Sequence, residues 1–202
     1  MSTTVAPERL RVPSRTVRVA VLVASSPSPG GLRRLLVGLR HPHVEVVVVT
    51  REDGLCLRRA AGRDATVVSL PEPGTASMAA AVRAGAAAST APVVVVLRDA
   101  VLITAEAALR LAEGVAGGSA VVIPGRTEME GAPAVAGNPA VVATRRALLA
   151  GLTDRPNGAA GIDWCDDLVA GPGRVERRSD VGYLGLGRAE PDVTGCGAAR
   201  RR

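Results

Sequence analysis

Residues 77–111 read SMAAAVRAGAAASTAPVVVVLRDAVLITAEAALRL. The Ala-rich part has the composition of a helix ending near Ser89, and the run Val93 to Leu97 that follows is wholly apolar. The polar pair Arg98-Asp99 stands directly behind it. In an α/β sheet such a run is a buried parallel strand, and ligands gather beyond the carboxyl ends of those strands. Asp99 is therefore expected at the lip of a cleft. Further on, Thr104 is placed to cap a helix over Ala105 to Ala116, with Glu106 in the first turn where the helix dipole favours an anion.

The same alternation extends upstream. Val17 to Ala24 reads as a strand, SSPSPGG as a loop, Leu32 to Arg40 as a helix and Val44 to Val49 as a second strand. Leu55 to Ala61 reads as a helix, Ala65 to Leu70 as a third strand and Ala76 to Ala88 as the helix before the Val93 run. Strands alternating with helices predict a mostly parallel sheet covered on its faces, joined by right-handed crossovers. Downstream, Ala120 to Ile123 is a strand, GRTEMEGAPAVAGNP a loop, Ala140 to Ala143 a short strand and Arg145 to Leu152 a helix. The polar, Pro-interrupted residues 1–16 are expected to form a flexible arm and residues 187–202 a loose basic tail, leaving one domain over 17–186.

With 202 residues and 47% hydrophobic content, one domain with a sizeable core is the expectation. No apolar stretch is long enough for a transmembrane helix, and no apolar segment precedes the first strand as in a secretory signal, so the expected compartment is cytoplasmic. The net charge is +6, and every cation other than His is Arg. A basic balance attracts phosphates. One Trp, one Tyr and no Phe, however, cannot supply the stacking platforms of single-strand binders, so nucleic acid is not the expected partner. Cys56, Cys165 and Cys196 share no CxxC spacing, which disfavours a zinc site and a disulfide framework and suggests thiols.

From Val17 to about Leu184 the chain resembles the family 2 glycosyltransferases. VRVAVLVASS stands where that family has its opening strand and nucleotide loop, and VEVVVVTREDG where it has a strand followed by an acidic pair. PGTASMAAAVRAGAAAS matches the helix leading to the metal-site strand, VVVVLRDAVLITAEAAL that strand and its following helix, GNPAVVATRRALLAGL the acceptor-side strand and helix, and GIDWCDDL the late acidic motif. The resemblance implies the GT-A (nucleotide-diphospho-sugar transferase-like) fold, a three-layer α/β sandwich with a mostly parallel central sheet. It also implies transfer of a sugar from a nucleotide-sugar donor to an acceptor hydroxyl. It puts Asp163 in the place of the catalytic base, Ser25, Glu52, Asp53, Arg83 and Arg98 in nucleotide binding, and Asp99 on a Mg2+ or Mn2+ ion. The family's metal motif is Asp-any-Asp, and here the aligned residues are Arg98-Asp99-Ala100, so only the middle position is acidic. A divalent metal on a diphosphate takes one or two carboxylates with several waters, and Arg98 offers a cationic clamp as the alternative.

The middle of the chain also resembles the nucleotidyltransferases that build molybdenum-cofactor dinucleotides. Ser77-Met78, Leu97-Arg98-Asp99 and Gly137-Asn138-Pro139 carry that likeness, which keeps Asp99 as a metal ligand. Those enzymes open with a Gly-rich loop holding Arg and a phosphate-binding Lys, whereas this chain has SSPSPGGLRR and no Lys. Arg33 or Arg34 could stand in, although Arg and Lys differ as phosphate ligands. A third reading is a catalytically silent GT-A module.

Each candidate also has a plainer reading. Asp99 could cap a turn or pair with Arg98, and Glu52-Asp53-Gly54 is also an ordinary turn and helix start. Gly30-Gly31 could expose amides to a phosphate, but lacks the P-loop or dinucleotide spacing. Asp163, Asp166 and Asp167 could form a charged site or a solvated helix start. Trp164 suits a core or groove. His41 and His43, without a third ligand nearby, are expected at the surface.

Overall fold

Runs of Val pair into strands because their branched side chains pack on a pleated surface, and the Ala, Leu and Arg segments between them form helices. The computed structural model describes residues 17–24, 27–50, 55–70, 77–97, 101–128, 140–152, 168 and 173–185. In chain order the elements are β1 (Val19–Val23), α1 (Pro29–Leu39), β2 (Val44–Thr50), α2 (Leu55–Ala61), β3 (Thr66–Ser69), α3 (Met78–Ala88), β4 (Val93–Leu97), β5 (Val101–Leu102), α4 (Ala105–Ala116), β6 (Val121–Glu128), β7 (Val141–Arg145), α5 (Arg146–Ala150) and β8 (Val175–Gly185).

The strands form one sheet in the order β3-β2-β1-β4-β7-β6-β8-β5. β1 pairs in parallel with β2 and β4, and β2 with β3. β7 is antiparallel to both β4 and β6, β8 runs parallel to β6, and β5 closes the far end antiparallel to β8. Val19, Val21 and Val23 of β1 face a core shared with Leu32, Leu35, Leu36 and Leu39 of α1, Leu57 of α2 and Leu111 of α4. Ala20 and Leu22 face the opposite way, toward Val82 of α3 and Leu149 of α5. The result is the expected three-layer α/β sandwich, with a mixed, mostly parallel sheet.

Several boundaries differ from the sequence reading. α1 starts at Pro29, inside the segment read as loop, because Pro suits the first helical turn and Ser28 caps it. β6 continues through Gly125 to Glu128 into the stretch also read as loop; a register irregularity between Pro124 and Arg126 accommodates the Pro-Gly step. β5 and β8 were not foreseen. Cys56, at the second position of α2, is disulfide-bonded rather than a thiol. Cys165 and Cys196 lie outside the described residues, as do the arm 1–16 and the tail 187–202.

Two features hold the layers together. A Cβ added at Gly85 of α3 would fall 2.1 Å from Leu22 Cδ1 and 2.9 Å from Val49 Cγ2, so the missing side chain is what lets α3 lie close on β1 and β2. On the other face, α4 is tied to β8. Arg178 Nε and Nη2 donate to the Asp180 carboxylate at 3.0 and 3.1 Å, and Arg110 Nη1 of α4 donates to it at 3.2 Å. Ser119 Oγ, just beyond α4, donates to Glu176 Oε2 at 2.7 Å. The Arg178 hydrogen bonds, opposed by partial burial, hold Asp180 at about 2, below its ordinary value of 3.8.

Gly85→Ala is expected to lower the urea midpoint. Overpacking costs about 1–3 kcal/mol, more than the gain of up to about 1 kcal/mol in helix propensity. An unchanged or raised midpoint would mean that Leu22 gives way without cost. For Asp180 the depressed folded-state value means a stabilisation present above the unfolded value and lost as pH falls through the folded one. Because its side chain is 41% exposed, the effect is held to under about 1 kcal/mol. Asp180→Asn should therefore lower stability slightly at neutral pH, and the gap to the parent chain should close between about pH 4 and pH 2 in acid titrations followed by circular dichroism.

Candidate functional site

The four parallel strands β1 to β4 end at one edge of the sheet, and backbone hydrogen bonds hold those ends together. Ala24 N–H donates to the Leu97 carbonyl and Leu70 N–H to the Thr50 carbonyl, both at 3.0 Å. Strand connection changes direction at β1: β2 lies on one side of it and β4 on the other. Such a reversal leaves a crevice between the crossover connections, where open α/β sheets bind ligands. Val141, the first residue of β7, pairs with Leu97, so the chain entering β7 approaches the same rung.

Ala24, Thr50, Leu70 and Leu97 are all buried, and none carries a carboxylate. Polar chemistry at this edge must come from the segments that begin one residue further on. Those segments hold most of the candidates: Ser25 follows Ala24, Glu52 and Asp53 follow Thr50 by two and three positions, and Arg98-Asp99 follows Leu97. All five lie outside the described residues, as does Asp163. What the fold brings together is the set of strand ends from which they emerge. Among the described residues no three His, Cys, Asp or Glu side chains are grouped to hold a metal, so a metal reading rests on Asp99 and its undescribed neighbours.

Two helices begin beside this edge without a carboxylate in their first turns. Ser28 Oγ accepts from Gly31 N–H at 3.1 Å at the start of α1, and Ser77 Oγ accepts from Ala80 N–H at 2.9 Å at the start of α3. Gly30-Gly31 thus lies in the first turn of a capped helix, whose N-terminus carries partial positive charge. A Cβ at Gly31 would sit 3.1 Å from Ser28 Oγ, so a small residue suits the cap. At α4, by contrast, Glu106 occupies the first turn and pairs with Arg110 at 2.8 Å.

Arg83 is the described member of the predicted set. It lies on α3, half-buried, and its Nη1 donates to the Leu152 carbonyl just after α5. In this position it joins two helices on the same face of the sheet. His41 and His43 sit in the turn before β2, at the opposite edge, with ring centroids 5.4 Å apart. That location removes them from the crevice.

The link between β4 and β5 shapes the edge as well. Residues 98–100 alone connect them, although three strands separate β4 from β5 in the sheet. Four chain steps reach at most about 14 Å, whereas four strand spacings in a flat sheet would need about 19 Å. The sheet must therefore curl, bringing Gly185 at the end of β8, which pairs with Val101, back toward the end of β4.

The family model for the MobA-like NTP transferase domain matches residues 17–161. Among solved structures, TarS 1-349 from S. aureus superposes with a TM-score of 0.67 at 16% identity, over 84% of this chain and 60% of that one. The same TarS fragment in complex with UDP gives 0.65 at 15% identity, over 84% and 60%. The mannosyltransferase PcManGT from Pyrobaculum calidifontis, in complex with GDP-Man and Mn2+, gives 0.65 at 19% identity, over 88% and 59%. These neighbours are GT-A glycosyltransferases, and at this identity they establish the fold. The chain spans about three-fifths of their length. No curated protein matches it in sequence.

Ser28→Ala and Ser77→Ala should each cost about 1 kcal/mol by removing a cap. In native-state hydrogen exchange, protection should fall in the first turns of α1 and α3 and stay unchanged in β4. Equal loss throughout the chain would mean that the caps act on the whole fold and not on this edge.

Proposed function

We propose that the chain, which belongs to the MobA-like NTP transferase domain family, binds the diphosphate of a nucleotide sugar at the carboxyl edge of β1 and β4 and transfers the sugar to an acceptor hydroxyl. The observation that carries this reading is the rung Ala24–Leu97–Val141 at the strand reversal, because the segments bearing Ser25 and Arg98-Asp99 start from it. The GT-A neighbours complexed with UDP or with GDP-Man and Mn2+ support it by fold.

In this reading Glu52 and Asp53 bind base or ribose, while Ser25 and the capped N-terminus of α1 lie toward the phosphates. Arg83 contributes from α3. Asp99 holds Mg2+ or Mn2+, and Arg98 adds a cation beside the leaving diphosphate. The bound metal would supply charge neutralisation for the departing phosphates. Asp163 takes the proton from the acceptor hydroxyl. A single carboxylate in place of the usual pair makes metal affinity low, and the Arg side chains share the electrostatic load.

A second reading, nucleotidyl transfer from a nucleoside triphosphate, is favoured by the family match and by Gly137-Asn138-Pro139, which leads toward the rung at Val141. Loss of the Lys-bearing loop weighs against it.

Thermal denaturation with UDP-, GDP- and dTDP-sugars and with CTP and GTP, each with and without Mn2+ or Mg2+, separates the readings. A ligand at a hundred times its Kd stabilises the fold by about 2.7 kcal/mol. The expected result is a metal-dependent shift with one diphosphate sugar, lost in Asp99→Asn, and transfer activity lost in Asp163→Asn while the shift remains. A response to a triphosphate alone would select nucleotidyl transfer. No shift with any nucleotide would overturn both and leave a silent module.

A further inference from the structure

The charge on the described helices is unevenly placed. α1 and α2 lie on the same face of the sheet, with their apolar sides turned into one core. Their outer sides and the turn after α2 carry exposed Arg33, Arg34, Arg58, Arg59 and Arg63, with Arg40 just after α1. The described acidic residues between Pro29 and Asp64 are both engaged. Asp64 pairs with Arg40 at 3.0 Å, and Glu45 accepts from Thr90 N–H at 3.0 Å at the opposite edge of the sheet. Arg58 donates to Ser69 Oγ at 3.2 Å. Arg33, Arg34, Arg59 and Arg63 have no hydrogen bond or ion pair among the described residues. Neighbouring α4, by contrast, balances Arg110 with Glu106 and Glu113.

Two aliphatic side chains stand among these arginines. Val37 is 68% exposed, one turn after Arg33 and Arg34, and Leu55 is 51% exposed, one turn before Arg58 and Arg59. Each shares its helix with two of the exposed arginines, so the aliphatic tips and the guanidinium groups belong to one surface. Guanidinium groups interspersed with aliphatic tips match an anionic lipid interface, where phosphates meet the first methylenes of the acyl chains. A nucleic-acid backbone would engage the same arginines but give Val37 and Leu55 no partner, and stacking on its bases would call for aromatic side chains, reading of adenine for amides. α1 and α2 contain neither.

We infer that the outer surface of α1 and α2 docks on an anionic membrane surface, the arginines meeting headgroup phosphates while Val37 and Leu55 enter the interface. The binding is peripheral, because the main apolar faces of both helices are committed to the core. It does not depend on the proposed transferase activity.

Flotation of the full chain with phosphatidylcholine vesicles, with and without phosphatidylglycerol, tests this. Binding is expected only with phosphatidylglycerol, weakening with salt. Each Arg→Gln change at positions 33, 34, 59 and 63 should weaken it about fivefold. Arg33→Lys with Arg34→Lys, which keeps the charge, should retain it, whereas Val37→Ser with Leu55→Ser should weaken it at unchanged charge. Circular dichroism identifies any variant that fails to fold. Absence of binding to phosphatidylglycerol vesicles, or binding indifferent to the Arg→Gln changes, would overturn the proposal. So would tighter binding to duplex RNA that survives Val37→Ser.

Discussion

β1 and β4 are covered by helices on both faces and paired on both sides, and every residue of both strands is buried. A strand in that position cannot hold an unpaired polar side chain without a large desolvation penalty. Any group able to bind or react must therefore stand beyond the last apolar residue. The sharp passage from Leu97 to Arg98-Asp99 follows from this restriction, as does the passage from Ala24 to Ser25-Ser26. The sheet concentrates chemistry at one edge by excluding it everywhere else.

The parallel half of the molecule was readable because its signals are local and redundant. α2, β4 and α4 begin and end as composition and capping predict. Gly85 left no such signal; its role lies in the approach of Leu22 and Val49 from other elements. β8 was missed for a different reason. VERRSDVGYLG has no apolar alternation, since only Val181 of its described side chains is fully buried, and the strand is held by pairing with β6 and by charges bonded to one another. β5, with two residues, is a strand only because β8 lies beside it.

The candidate site divides in the same way. The strand ends from which the candidates emerge were legible in the apolar runs, and those ends lie side by side in the sheet. The residue roles came from resemblance. The carboxylates among these residues lie outside the described residues, in polar stretches that have no apolar periodicity to place them. Cys56 shows how spacing can mislead. A bond between residues distant in sequence leaves no CxxC pattern.

The curl imposed by residues 98–100 also governs the order in which the chain can acquire its shape. β1 to β4 close through successive short crossovers and β6 joins them through β7, but β5 must wait for β8, whose Gly185 pairs with Val101. Contacts of that sequence separation form slowly. During synthesis the parallel half can settle while β5 still lacks its neighbour, and the far end of the sheet is completed only when β8 docks. The pairing of β5 is thereby coupled to the docking of β8, and a chain stopping before Val175 would retain the sheet's centre while lacking that margin.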